Sequence, residues 1–323
     1  MQIAFTGKGG SGKSTVGSLF IEHLRSESQR VLAIDADINV HLASMLGLEA
    51  PEELALSNAD NIDTIRRRLL GTNSRVPSID HFVPTTPPGP GSHAFSLVGA
   101  DPIMSAFATP AADGLALMHV GTYQAEGIGT SCYHENLAIL ENLLSHAELD
   151  ADDWIVCDMV AGTDAFSNSL HAQFDAIVIV VEPTPESVGV ARKYRELAES
   201  AGTLDAIVLV GNKVNDADDL AYLEEQIGGE LLASLPTLTS LRRARQRGGR
   251  PTLDDVGDTS TFKIIEGFAR TSPLTRERRT ALIREVHLRL AQQDWVRGVY
   301  GDITDQFPPE TVASTADDVV DAR

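Results

Sequence analysis

Short apolar runs alternate with amphipathic stretches along most of this chain, the pattern of a parallel α/β protein. Met1-Gln2-Ile3-Ala4-Phe5 reads as a buried strand, and the apolar spacing of 16–24 suits a helix laid on a sheet. Arg30-Val31-Leu32-Ala33-Ile34 is a second strand, leading into a helix over 40–46 and a charged helical stretch over 51–70. Further strands are predicted over 95–99, 114–120, 152–158, 176–181, 205–211 and 230–236, with helices over 137–146, 186–200 and 260–269. Ala176-Ile177-Val178-Ile179-Val180-Val181 is wholly apolar and rich in β-branched residues, as befits a strand covered on both faces. Segment 71–94, centred on Pro84-Thr85-Thr86-Pro87-Pro88-Gly89-Pro90-Gly91, reads as an irregular and mobile insertion. Residues 274–299 suggest one long Arg-rich helix with a broken apolar stripe through Leu282, Val286, Leu290 and Val296.

Between the first strand and the first helix lies Gly7-Lys8-Gly9-Gly10-Ser11-Gly12-Lys13-Ser14-Thr15. It contains G-x-x-x-x-G-K-[ST] in the strand–loop–helix setting that a phosphate-binding loop requires. Glycines let the backbone curl so that successive N–H groups face phosphate oxygens, and the helix beginning near Lys13 adds unpaired donors. Lys13 supplies a cation for the β- and γ-phosphates, and the Ser14 hydroxyl suits a Mg²⁺ ligand. A glycine-rich turn that binds nothing is the competing reading, and the lysine and hydroxyl in register argue against it. Only five lysines occur in the chain (Lys8, Lys13, Lys193, Lys213, Lys263), so two of them in one loop is notable.

The run K-G-G-x-G-K-[ST]-T resembles the deviant Walker A loop of the MinD/ParA/nitrogenase-iron-protein group of ATPases. The resemblance implies a doubly wound, mostly parallel P-loop NTPase domain over 1–270. It implies ATP and Mg²⁺ as ligands and a homodimer closed by ATP, in which Lys8 reaches the partner's nucleotide. The strand ending in Asp35-Ala36-Asp37 is similar to the group's switch I segment; Asp37 would polarise the attacking water and Asp35 would support the Mg²⁺ shell. An N-cap role for the following helix is compatible with both aspartates. Relatives often continue D-P, whereas Ile38-Asn39 follows here. Asp158 closes a strand in the manner of Walker B and would hold Mg²⁺ through water. Gly162 in Met159-Val160-Ala161-Gly162 resembles the switch II glycine that senses the γ-phosphate. Asn212, at the end of a later strand, would hydrogen-bond the adenine through an amide that both donates and accepts; a plain strand-end turn is the other reading.

Residues 121–136 and the helix after them resemble the accessory ATPases that mature carbon monoxide dehydrogenase (CooC type). Those carry a C-x-C pair here that binds Ni²⁺ or Zn²⁺ across the dimer. In this chain Cys132 matches the second cysteine, and Thr130 stands where the first would be. A Cys132–His134 pair from each subunit would give an S₂N₂ set suited to Zn²⁺ or Ni²⁺. A cysteine with a nearby histidine that binds nothing is the alternative.

Charge narrows the partners. With 26 Lys and Arg against 46 Asp and Glu, the net charge is −20, which disfavours nucleic acid and anionic lipid. Arg242, Arg243, Arg245, Arg247 and Arg250 form a basic island for which internal ion pairing is expected. Two cysteines, the absence of a run long enough to cross a bilayer, and a start directly on a strand predict a cytoplasmic protein without a targeting peptide. Cys157, inside a strand, reads as core. A helical extension is expected over 271–306 and a disordered acidic tail over 307–323. Two functions follow from the resemblances: a metal-insertion ATPase serving a client metalloenzyme, or a ParA/MinD-like switch that regulates or positions a partner protein.

Overall fold

The computed structural model describes residues 1–122, 136–166, 169–272 and 274–308. Its centre is an eight-stranded sheet assembled from β1 (Gln2–Gly7), β2 (Arg30–Ala36), β4 (Thr109–Pro110), β5 (Leu115–His119), β7 (Asp153–Met159), β8 (Ala176–Val181), β9 (Ile207–Asn212) and β10 (Ala233–Leu235). The strand order is β10-β9-β8-β1-β7-β2-β5-β4, parallel except for the antiparallel edge pair β4–β5. The expected α/β class is thus observed.

Strand periodicity sorts the core into two layers. Ile3 and Phe5 of β1, with Val178 and Val180 of β8, face a layer completed by α1 (Lys13–Ser26), α2 (Leu42–Leu46), α8 (Thr239–Gln246) and α9 (Ser260–Arg270). Ala4, Ile177, Ile179 and Val181 face the opposite layer, which contains α3 (Ala59–Leu70), α5 (Ala138–Ser145), α6 (Pro185–Ser200) and α7 (Ala217–Ile227). Each inward side chain lost from such a layer costs roughly 2–5 kcal/mol. β1 therefore lies in the middle of the sheet with helices on both sides, and the loop leaving its carboxyl end is held on a rigid base.

Several expectations are corrected. The strand anticipated over 95–99 is only β3 (Phe95–Ser96), paired with β6 (Ala147–Glu148) outside the main sheet. Segment 71–94 is irregular but pinned: Thr85 Oγ1 meets His287 Nδ1 at 2.9 Å, Thr86 Oγ1 donates to Gln306 at 2.8 Å, and Asn142 donates to the Val83 and Pro84 carbonyls. The long terminal helix is two helices, α10 (Arg276–Ala291) and α11 (Asp294–Tyr300), because Gln293 turns extended (ψ 131°) between them. The inward face of α10 runs through Ile283, His287 and Ala291, one position along from the anticipated Leu282, Val286 and Leu290, because a hydrogen-bonded histidine substitutes for an apolar residue. Val296 of α11 is buried as expected. Phe307 is buried against His287. Residues 309–323, and with them most of the expected acidic tail, lie outside the described residues. Among the described residues the five arginines of the basic island make no ion pair; Arg245 instead donates to the Ser44 and Gly249 carbonyls. Carboxylates are simply absent from the neighbouring turns of α8.

Candidate nucleotide-binding site

The site forms where β1, β2, β7, β8 and β9 end, at the carboxyl edge of the parallel sheet. Gly7 closes β1 with φ 148°, and a Cβ there would stand 2.4 Å from the Val180 carbonyl oxygen. Gly12 adopts φ 95° immediately before α1, and a Cβ would lie 2.2 Å from Asn212 Nδ2. These two positions exclude any side chain. Between them the loop closes on itself through Ser11 N–H donating to the Lys8 carbonyl (3.0 Å), leaving Gly9 and Gly10 exposed. Lys13 and Ser14 are the first residues of α1, and Thr15 follows half-buried.

Two carboxylates face Lys13, and Asp35 lies beside them. Asp37 Oδ2 accepts from Lys13 Nζ at 2.5 Å, and Asp158 Oδ1 lies 3.8 Å from the same ammonium. Asp35 and Asp158 are register partners on adjacent strands, both buried. Burial, reinforced by Asp158, pushes the Asp35 carboxyl up to about 7, although it accepts from Leu42 N–H (2.7 Å) and Asp37 N–H (3.2 Å). Asp35 thereby caps the first turn of α2. Asp37 is opposed by burial too, but hydrogen bonds from Lys13 and Asn39 outweigh it and hold the group below the usual carboxylate range.

Burial raises Asp158 to about 6, and neither of its buried oxygens has a hydrogen-bond partner. Lys13 at 3.8 Å answers its charge without a hydrogen bond, so the buried oxygens retain the capacity to take donors or a hydrated cation. With the Ser14 hydroxyl beside Lys13 Nζ (3.4 Å), this donor set fits a hydrated Mg²⁺, an all-oxygen octahedral ion.

Two expected ligand groups are engaged by protein. Gly162 N–H donates to the Gly7 carbonyl (3.1 Å), tying the segment after β7 to the loop. Asn212 Nδ2 donates to the Ser11 carbonyl (2.7 Å) while its Oδ1 accepts from Lys213 N–H (3.0 Å), so the amide braces the loop. The turn after Asp37 is strained: Val40, a β-branched residue, sits at φ 46°. Ile38 and Asn39, which follow Asp37 in this chain, lie in this turn.

Sequence reasoning missed Glu182 and Lys213, which lie beside the phosphate loop and contact Lys8 and the Gly10 carbonyl respectively. Lys8 Nζ lies 3.4 Å from Glu182 Oε1, and Lys213 Nζ lies 2.6 Å from Glu182 Oε2 and 2.9 Å from the Gly10 carbonyl. Both follow strand ends, the one signal that points to them. Cys132 and His134 fall outside the described residues. Among the described residues no group of three or more His, Cys, Asp and Glu is arranged to hold a metal ion, and no helix is long and apolar enough to cross a membrane. Cys157 is buried in β7, where burial drives its thiol well above the ordinary value.

Known proteins are similar to this chain in sequence and in fold. A family model described as the CobQ/CobB/MinD/ParA nucleotide binding domain matches residues 3–251. The carbon monoxide dehydrogenase accessory protein CooC of Rhodospirillum rubrum is 30% identical over 249 residues, covering 77% of this chain and 88% of that protein. An uncharacterised ATP-binding protein of Methanocaldococcus jannaschii is 28% identical over 271 residues, covering 82% of this chain and 96% of its own. In fold, the chain is similar to a ParA family ATPase from Chlorobium tepidum (TM-score 0.58, 17% identity, 83% of this chain and 97% of the other). The cell division ATPase MinD of Pyrococcus furiosus is similar too (TM-score 0.52, 18% identity, 84% and 97%). On the family model and its phosphate-loop geometry together, this chain belongs to the CobQ/CobB/MinD/ParA nucleotide-binding family.

Proposed function

We propose that this protein is a Mg²⁺-dependent ATPase that dimerises on ATP and serves as a maturation accessory, inserting metal into a client enzyme. The observation that carries the ATPase reading is Lys13 seated between Asp37 and Asp158 at the head of α1. Phosphate oxygens compete for Lys13, and the exchange does two things at once. It neutralises the γ-phosphate, and it frees Asp37 to orient and polarise a water for ATP + H₂O → ADP + phosphate. Mg²⁺ held by Ser14 and, through water, by Asp158 would supply charge neutralisation at the β- and γ-oxygens. Lys8 would complete the partner's site, and Gly162 would exchange the Gly7 carbonyl for a γ-phosphate oxygen. Asp35, accepting from the Leu42 and Asp37 N–H groups, would hold the turn that carries Asp37 in place.

The accessory role rests on similarity to the Rhodospirillum rubrum protein and on the presence of Cys132 and His134 in the sequence. ATP turnover is measured first: Asp37→Ala should lower kcat by roughly 10²- to 10⁴-fold while ATP binding persists. Unchanged turnover would remove Asp37 from the chemistry. Zinc and nickel titration of the wild type and Cys132→Ser then tests the cargo. Equal stoichiometry in both would end the metal reading and leave a nucleotide switch, for which the ParA-like fold speaks and which co-sedimentation with a purified partner protein would test.

A further inference from the structure

We propose that Glu182 is a positioning residue that holds Lys8 on its own subunit until a nucleotide-loaded partner approaches, with Lys213 keeping Glu182 in place. The proposal deepens the dimeric reading above and rests on it, since it presumes that Lys8 acts across the dimer.

One carboxylate meets two ammonium groups here, and it meets them unequally. Glu182 Oε2 takes Lys213 at 2.6 Å, whereas Oε1 takes Lys8 at 3.4 Å. Lys213 is further fixed by donating to the Gly10 carbonyl (2.9 Å). Its backbone is held at φ 62°, and its N–H donates to Asn212, which itself grips Ser11. Glu182 N–H donates to Ser187 Oγ (3.1 Å), so the carboxylate's base is set by the first turn of α6. The fixed half of the arrangement is therefore Glu182–Lys213, and the releasable half is Lys8. Both lysines are partly exposed, Lys8 by 34% and Lys213 by 43%. The longer contact, and the lack among the described residues of a second acceptor such as the Gly10 carbonyl, make Lys8 the releasable one. It is followed by two exposed glycines, and a Cβ at Gly10 would meet nothing within 4 Å, so the loop has room to turn. Burial alone would favour neutral Glu182, but Lys213 and Lys8 outweigh it and hold the carboxyl below its usual range, so it is ionised at neutral pH. An ionised Glu182 competes with a partner's phosphates for Lys8. Dimer closure must break one such contact in each subunit, which sets the nucleotide level at which closure begins.

The test compares wild type, Glu182→Gln, Lys8→Ala and the double variant. The readouts are sedimentation against the concentration of a non-hydrolysable ATP analogue with Mg²⁺, ADP affinity, and Tm. Glu182→Gln should lower the analogue concentration for half-maximal dimer by roughly tenfold, since two weak, partly exposed ion pairs are released per dimer. ADP affinity should be unchanged. A merely structural role for Glu182 would raise that concentration or lower ADP affinity instead, and Lys8→Ala and the double variant should both remain single chains. Glu182→Asp keeps the charge near Lys213 but withdraws it from Lys8, and should shift dimerisation in the same direction if the glutamine variant folds poorly. An unchanged or raised requirement in Glu182→Gln overturns the proposal. Wild-type dimerisation and turnover in Lys8→Ala alone would instead overturn the dimeric reading on which it stands.

Discussion

Lys13 and Lys8 occupy one loop but answer to different counter-charges, and substitution separates them. Lys13 is buried between two carboxylates at the helix start, so Lys13→Ala leaves Asp37 and Asp158 unpaired and removes the cation that ATP must find. Loss of nucleotide binding is expected, by about 10²-fold or more, from a charged contact of roughly 3 kcal/mol. Lys8→Ala should bind ATP as the wild type does yet turn over slowly; isothermal titration beside a phosphate-release assay distinguishes the two. Val40 offers a second check at this scale. A β-branched residue at φ 46° costs roughly 1–3 kcal/mol, so Val40→Gly should stabilise the nucleotide-free protein by about 1 kcal/mol in urea denaturation. No gain would mean that the turn after Asp37 is not strained. The sequence signal for each residue was local: a motif for Lys13, strand ends for Asp37 and Asp158. Glu182 and Lys213 were not legible, because 31 residues separate them and only the sheet order β9-β8-β1 brings both to Lys8.

At the scale of elements, a buried carboxylate joins two segments that matter to the proposed cycle. Glu141 on α5 follows Cys132 in sequence, and it accepts from both the N–H (2.8 Å) and the hydroxyl of Ser169, downstream of Gly162. Burial pushes Glu141 from its ordinary 4.5 up to about 7, against the pull of Ser169 and Arg66. The native state therefore keeps a proton that the unfolded chain releases near pH 4.5. Between those two values the folded form binds more protons, so stability falls as pH rises and the loss is complete above about 7. In Glu141→Gln this contribution should vanish. The fall in unfolding free energy between about pH 5.5 and 8 should be smaller than in wild type by on the order of 2 kcal/mol. Parallel pH profiles would place the titrating group elsewhere. Elements were read from sequence where periodicity was strong, as in β8 with its unbroken β-branched run. They were misread where polar contacts carry the packing. His287, hydrogen-bonded to Thr85 and to the Ile303 carbonyl (2.8 Å), joins α10 to the irregular segment, and no hydrophobic pattern announces it.

For the whole molecule, the parallel sheet gathers every proposed nucleotide ligand among the described residues at one edge. The family model spans 3–251, so α10 and α11 lie beyond it. They are tied back to the sheet's opposite end by Arg279 with Gln2 and Asp175, and by Arg278 with Asp205. These contacts were not foreseeable from a charge count, which cannot say which arginine meets which carboxylate. The basic island shows the same limit from the other side, since its arginines stay unpaired among the described residues despite a net charge of −20. The central claim is that ATP assembles two such chains with Lys8 crossing between them, and its most direct test is the mass in solution. With Mg²⁺ and a non-hydrolysable ATP analogue, sedimentation equilibrium should give twice the 34.7 kDa chain mass, and Lys8→Ala should fall back toward the single-chain value. A wild-type mass that stays at 34.7 kDa under saturating analogue would contradict the account.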